Sequence, residues 1–142
     1  MTAMRRLPDW NARVTVFLTQ HARTPFRPGR HDCALFAAGC VEAMTGEDPA
    51  AAFRGRYSTL AGGRRVLRRA GFADHVALVA SLFDEIAPLM AQVGDIAVVN
   101  SPEGPALGLV AGADIVVPAP QGLGAVSLMA ARRAFRVPAE GC

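Results

Sequence analysis

The sequence contains no lysine, so all of its positive charge sits on 15 arginines, which against 12 acidic residues leave a net charge of +3 with histidine neutral. An arginine-only, alanine- and glycine-rich chain reads as the imprint of GC-rich coding rather than of a mechanism. Aromatics are scarce at 6%, and none interleaves with the one basic stripe, Arg64, Arg65, Arg68 and Arg69. The stripe therefore reads as a solvated helix face, and no nucleic-acid motif accompanies it. Three cysteines make a poor disulfide framework. Cys33 and Cys40 are two helical turns apart, about 10 Å between Cα atoms, too far to bridge; Cys142 is terminal, and reduced thiols are expected. No apolar run reaches the length of a membrane span, and the first ten residues lack the apolar core of a secretory signal.

What is present is a chain of 142 residues, 51% hydrophobic and 19% charged, enough for one globular domain over 1–142 with a real core. Trp10, Val14, Phe17, Leu18 and His21 recur at helical spacing, which predicts a helix over about 9–22 capped by Asp9. Pro25, Pro28 and Gly29 then impose a loop. A second helix runs from Asp32 to about Met44 with Cys33, Phe36, Ala37, Cys40, Val41 and Met44 on its apolar stripe and Gly46 as its C-terminal cap. Asp48-Pro49 predicts a short helix through Phe53. Ser58 is expected to cap a helix carrying Leu60, Val66, Leu67 and Ala70 and stopped by Gly71, with Gly62-Gly63 weakening its first half. Residues 74–87 are read as helix on their alanine content. After Pro88 the pattern turns to strands at Asp95–Val99, Leu107–Val110, Ile115–Val117 and Arg133–Val137. Gly122-Leu123-Gly124 is read as a turn before a single helical turn over Ser127–Ala131. Helices first and a small antiparallel sheet afterwards define an α+β class.

The chemistry concentrates at His31-Asp32-Cys33. A cysteine in the first turn of a helix meets free backbone N–H groups and the positive end of the helix dipole, which favour thiolate. That effect is worth about 0.3–1 kcal/mol, under one pKa unit. Nucleophilic catalysis needs more: a base to take the thiol proton and return it to the leaving amine. His31 lies two residues before Cys33 and reads as a loop residue supporting the helix start, with Asp32 as the N-cap. His21 reads as a packing residue, and the placement of His75 is open. Adjacent His, Asp and Cys lack the spacing of a zinc site, no phosphate loop is present, and no cofactor or metal is expected.

Several stretches in order carry a resemblance over nearly the whole chain: Trp10 with its helix, Pro25-Phe26, His31-Asp32-Cys33-Ala34-Leu35-Phe36, Phe53-Arg54-Gly55-Arg56-Tyr57, Gly94-Asp95-Ile96, Ala106-Leu107-Gly108-Leu109-Val110 and Ala134-Phe135-Arg136-Val137. The chain resembles papain-like hydrolases of the NlpC/P60 group, and more nearly a divergent branch found among phage tail proteins. The resemblance implies N-terminal helices packed on a small antiparallel sheet. It also implies Cys33 at the place of the nucleophile, with Gly94-Asp95 as the strand-opening pair. The place of the catalytic histidine falls on Ala106, which can neither accept nor donate a proton. The expected function is accordingly a structural or assembly protein of a phage or phage-like tail tip or baseplate. It would be made in the bacterial cytoplasm, carried on the virion tail and partnered by other tail proteins. The alternatives are a tail-associated peptidoglycan hydrolase that uses Cys33 with an unconventional base, and a binding domain that uses the cleft for a small ligand.

Overall fold

A computed structural model describes residues 4–139; Cys142 and the first three residues lie outside the described part. Four helices, α1 Trp10–His21, α2 Cys33–Thr45, α3 Leu60–Arg69 and α4 His75–Leu82, precede most of the sheet. The strands are β1 Asp84–Ile86, β2 Ile96–Ser101, β3 Gly104–Val110, β4 Asp114–Ala119, β5 Gly122–Ser127 and β6 Arg133–Arg136. They form one antiparallel sheet in the order β1-β6-β2-β3-β4-β5. The α+β class is as expected.

α2 is the centre of the molecule. Asp32 caps it by accepting the Leu35 N–H, and Gly46 closes it in the left-handed conformation at φ +86°. Its expected apolar stripe is buried at Phe36, Ala37, Cys40, Val41 and Met44, but Leu35, Ala38 and Gly39 are buried as well. The reason is that α2 is covered on two sides. One side joins α1 and the sheet through Val14, Ile96, Leu107, Leu109 and Phe135. The other packs Leu35 and Ala38 against Ala50, Phe53 and Tyr57. A helix buried nearly all round has no single stripe to announce it.

Several expected elements shift. Asp9 precedes α1 but makes no side-chain cap bond. Thr59, not Ser58, caps α3 by accepting the Gly62 N–H. Residues 49–53 form successive turns rather than a helix, although Asp48 accepts the Ala50 N–H as a cap would and also pairs with Arg54 at 2.6 Å. The helix expected over 74–87 stops at Leu82. Phe83 turns extended and buries its ring, so that Asp84–Ile86 pairs with Arg136–Ala134 as the edge strand β1. Gly122-Leu123-Gly124 is strand, not turn: it belongs to β5, which pairs with β4 from Ala119↔Gly122 to Asp114↔Ser127. Gly and Ala have low strand propensity, and only the neighbouring strand makes this segment extended. Ser127 does cap the short helical turn Leu128–Ala130.

The N-terminal segment is fastened to the sheet by Arg6. Its guanidinium donates to the Asp95 carboxylate at 2.9 Å, to the Val137 carbonyl at 3.0 Å and to the Val93 carbonyl at 2.9 Å. Asp95 is fully buried and also accepts the N–H groups of Gln92 and Val137. Gly94, at φ +94°, leaves the space the guanidinium occupies: a Cβ there would lie 2.7 Å from an Arg6 nitrogen. The Arg6 guanidinium also lies 4.2 Å over the Trp10 ring. The sequence reading marked Gly94-Asp95 but not Arg6, whose partner lies 89 residues away.

Removing one member of a buried pair leaves the other charge poorly compensated; Asp95 would keep only the half-exposed Arg136 at 3.7 Å and its two backbone donors. Arg6→Ala is expected to cost about 3–5 kcal/mol of unfolding free energy, measured by urea denaturation. A loss under about 1 kcal/mol would mean that the clamp contributes little.

Candidate functional site

The site is built from the start of α2. The Asp32 carboxylate accepts three protein donors: the Leu35 N–H at 2.9 Å, the Gly29 N–H at 3.0 Å and the Tyr57 hydroxyl at 2.5 Å. One side chain thus fixes the helix, the loop before it and the segment that leads into α3. Two glycines permit this closeness. A Cβ on Gly29, which sits at φ +81°, would collide with the Tyr57 carbonyl. A Cβ on Gly63 would press on the Tyr57 ring at 3.0 Å. The helix-weakening glycine at 63 is therefore a packing requirement. Burial and the adjacent Asp32 charge push the Tyr57 hydroxyl well above its ordinary pKa, so it stays a donor.

Beside this junction lies a cleft of about 500 Å³, with Cys33, Tyr57, Leu67, His75, Leu78 and Ala106 among its lining residues. Cys33 and Ala106 both border it, but Cys33 packs with Leu107 and Leu109 on the α2 side of the sheet, whereas Ala106 packs with Val99 and Val110 on the opposite face. Cys33 is partly exposed and is a free thiol, as is the buried Cys40. Burial pushes the Cys33 thiol up to about 11, against backbone hydrogen bonding at Leu107, which favours the thiolate. Asp32 works in the same direction as burial, since the cap's own negative charge opposes a second one beside it. The thiolate preference expected from the helix start is thus overturned: desolvation and the cap carboxylate outweigh the dipole.

No imidazole is among the groups that shift this thiol. His31 is 6% exposed and does not line the cleft. Its ring stacks on His21 at 5.3 Å and meets the Phe36 ring edge-on at 5.9 Å. Its support of the helix start runs through the backbone, where its N–H and C=O both pair with Arg27 and close the loop. Burial and the neighbouring His21 lower its pKa, against the pull of Asp32, and its Nε2 has no hydrogen-bond partner. His21 lies beside Thr24, 3.3 Å from its hydroxyl, and it too is absent from the cleft wall. His75 does line the cleft, but its Nε2–H donates to the Pro105 carbonyl at 2.7 Å, so that nitrogen is committed as a donor. The sequence reading put Cys33 in the first turn of α2, where the structure has it. It missed Tyr57, because nothing in the spacing of 25 residues signals a bond to Asp32.

Among the described residues no group of three or more His, Cys, Asp or Glu side chains gathers to hold a metal, and no helix is long and apolar enough to cross a membrane. Of the arginine stripe, Arg64 reaches the Glu103 carbonyl at 3.4 Å, while Arg65 and Arg69 border a shallow polar recess with Arg56. A family described only as a domain of unknown function, DUF6950, matches residues 5–137. No curated protein matches the sequence.

Two outcomes follow. The alkylation rate of Cys33, read residue by residue by mass spectrometry, is expected to rise with pH toward a midpoint near 11. A midpoint at 8.5 or below would mean an activated thiol. His31 is held neutral by the fold, so the unfolded chain binds more protons below its ordinary value of about 6.5. Stability is then present above that pH and lost as pH falls through the lowered folded value. His31→Phe is expected to flatten this acid-side loss in thermal denaturation between about pH 6.5 and 4.5; an unchanged slope would place the sensitivity elsewhere.

Proposed function

The chain belongs to the DUF6950 family, and from its cleft we propose that it is a structural or assembly component of a phage or phage-like tail tip or baseplate. On this reading it keeps a papain-like, NlpC/P60-type scaffold whose catalytic machinery has lapsed. The observation that carries the proposal is that Cys33 keeps the helix-start position while no imidazole is among the groups that act on its thiol, Ala106 standing where the resemblance expects one. The nucleophile's place is kept, the base's place is filled by a methyl group, and the thiol stays protonated at neutral pH. Such a scaffold offers shape and surface rather than turnover. Its arginines and the exposed Leu89, Met90 and Met129 are residue types enriched where proteins meet. Other tail proteins are the partners this reading calls for, and the virion tail is its location.

One observation favours the second reading, a tail-borne peptidoglycan hydrolase. His75 lines the same cleft as Cys33, and its Nδ1 carries the lone pair of the neutral ring while Nε2–H is held by Pro105. In that case Cys33 attacks a peptide amide, and the imidazole takes the thiol proton and returns it to the leaving amine.

Quantitative mass spectrometry of purified tail particles is expected to find the chain at fixed stoichiometry with the other tail proteins. Purified protein is expected to release no peptide fragments from peptidoglycan. Release that disappears in Cys33→Ala would replace the structural reading with the hydrolase.

A further inference from the structure

The cleft is much more apolar than the recognition of a polar peptide requires. Its walls come from one face of α3 (Leu60, Leu67), one face of α4 (Leu78, Leu82), and Leu107 on the α2 side of β3. α3 explains the shape. Among its residues only Gly63 is buried, while Leu60, Val66 and Leu67 stay partly exposed on the cleft side and Arg64, Arg65, Arg68 and Arg69 are exposed. An amphipathic helix normally closes its apolar stripe against the core; here the stripe borders open space. Ligand sites of this kind are mostly apolar recesses of about 300–1,000 Å³ with a few polar groups that orient the ligand.

Size and charge select the occupant. A helix with side chains is about 10 Å across, so 500 Å³ is less than two turns of one. A single hydrocarbon chain, thin and flexible, fits such an apolar recess better. The polar groups gather at one rim, the β2–β3 turn, where Arg64 reaches the Glu103 carbonyl and His75 the Pro105 carbonyl. Arg64 is exposed and held there only by its long 3.4 Å contact. The Glu103 carboxylate shares this rim and faces the Ser101 hydroxyl at 3.4 Å.

We infer that the cleft binds a single-chain amphiphile, its hydrocarbon tail along the α3–α4 walls and an anionic head group at Arg64. The inference needs only the cleft and not the tail-particle reading, so either can fail alone.

The test is displacement of a fluorescent acyl probe from the full chain by fatty acids of eight to eighteen carbons, kept below their micellar concentrations. One saturable site is expected. Affinity should rise about two- to fourfold per methylene added, following the hydrophobic increment for a partly to fully buried CH₂, and level off once the chain outgrows the cleft. Leu67→Glu is expected to weaken binding tenfold or more. Arg64→Ala should abolish the preference for a carboxylate over its methyl ester while leaving the chain-length dependence intact. A measurement on the unaltered protein covers the case in which Leu67→Glu fails to fold: saturating ligand should slow alkylation of Cys33, which lines the same cleft. Absence of saturable binding, affinity independent of chain length, or undiminished alkylation at saturation would each overturn the inference. Displacement of the probe by an apolar peptide but by no fatty acid would overturn it in favour of a peptide occupant.

Discussion

The carboxylate of Asp32 is the point on which the rest of the site depends. A buried carboxylate is costly unless its oxygens are satisfied, and here three donors from three segments converge on it: Leu35 in α2, Gly29 in the preceding loop, and Tyr57 before α3. The charge strengthens each bond. Because the donors come from different parts of the chain, satisfying the carboxylate also sets the position of Tyr57 and, through it, the approach of α3. The cleft is the space left between α3, α4 and the sheet once that junction is made.

The same carboxylate limits the chemistry beside it. Asp32 stabilises the helix dipole at the N-terminus, where negative charge is favoured. Cys33 is the next residue and competes for the same positive end. With the site already occupied by one negative charge and the thiol desolvated, the neutral form of Cys33 wins. An active cysteine hydrolase overcomes such a balance with an imidazolium facing the sulfur. Here the neighbouring strand offers only its backbone at Leu107, and the three imidazoles are engaged elsewhere: His21 and His31 with each other, His75 with the turn at Pro105.

A second charged junction, Arg6 with Asp95, serves the fold rather than the cleft. It ties the start of the chain to the strand opening at Gly94-Asp95 and to the exit of β6 at Val137. Its burial explains why a glycine and an aspartate stand together there. The glycine makes room for the guanidinium, and the aspartate supplies the counter-charge.

Local signals in the chain were enough for α1, α2 with both of its caps, the strands at Asp95–Val99 and Leu107–Val110, and the α+β class. Each rests on periodicity, capping or β-branched runs that act within a few residues. The elements that differ are those whose state is set by a distant neighbour. β1 exists because Arg136–Ala134 is there to pair with it, and the Gly-Leu-Gly of β5 is extended because β4 holds it. The junction of Asp32 with Tyr57, the clamp of Arg6 on Asp95 and the upward shift of the Cys33 thiol belong to the same class. Each is a balance of burial and charge between groups far apart in sequence, and such a balance has no value until the chain has folded and removed them from water.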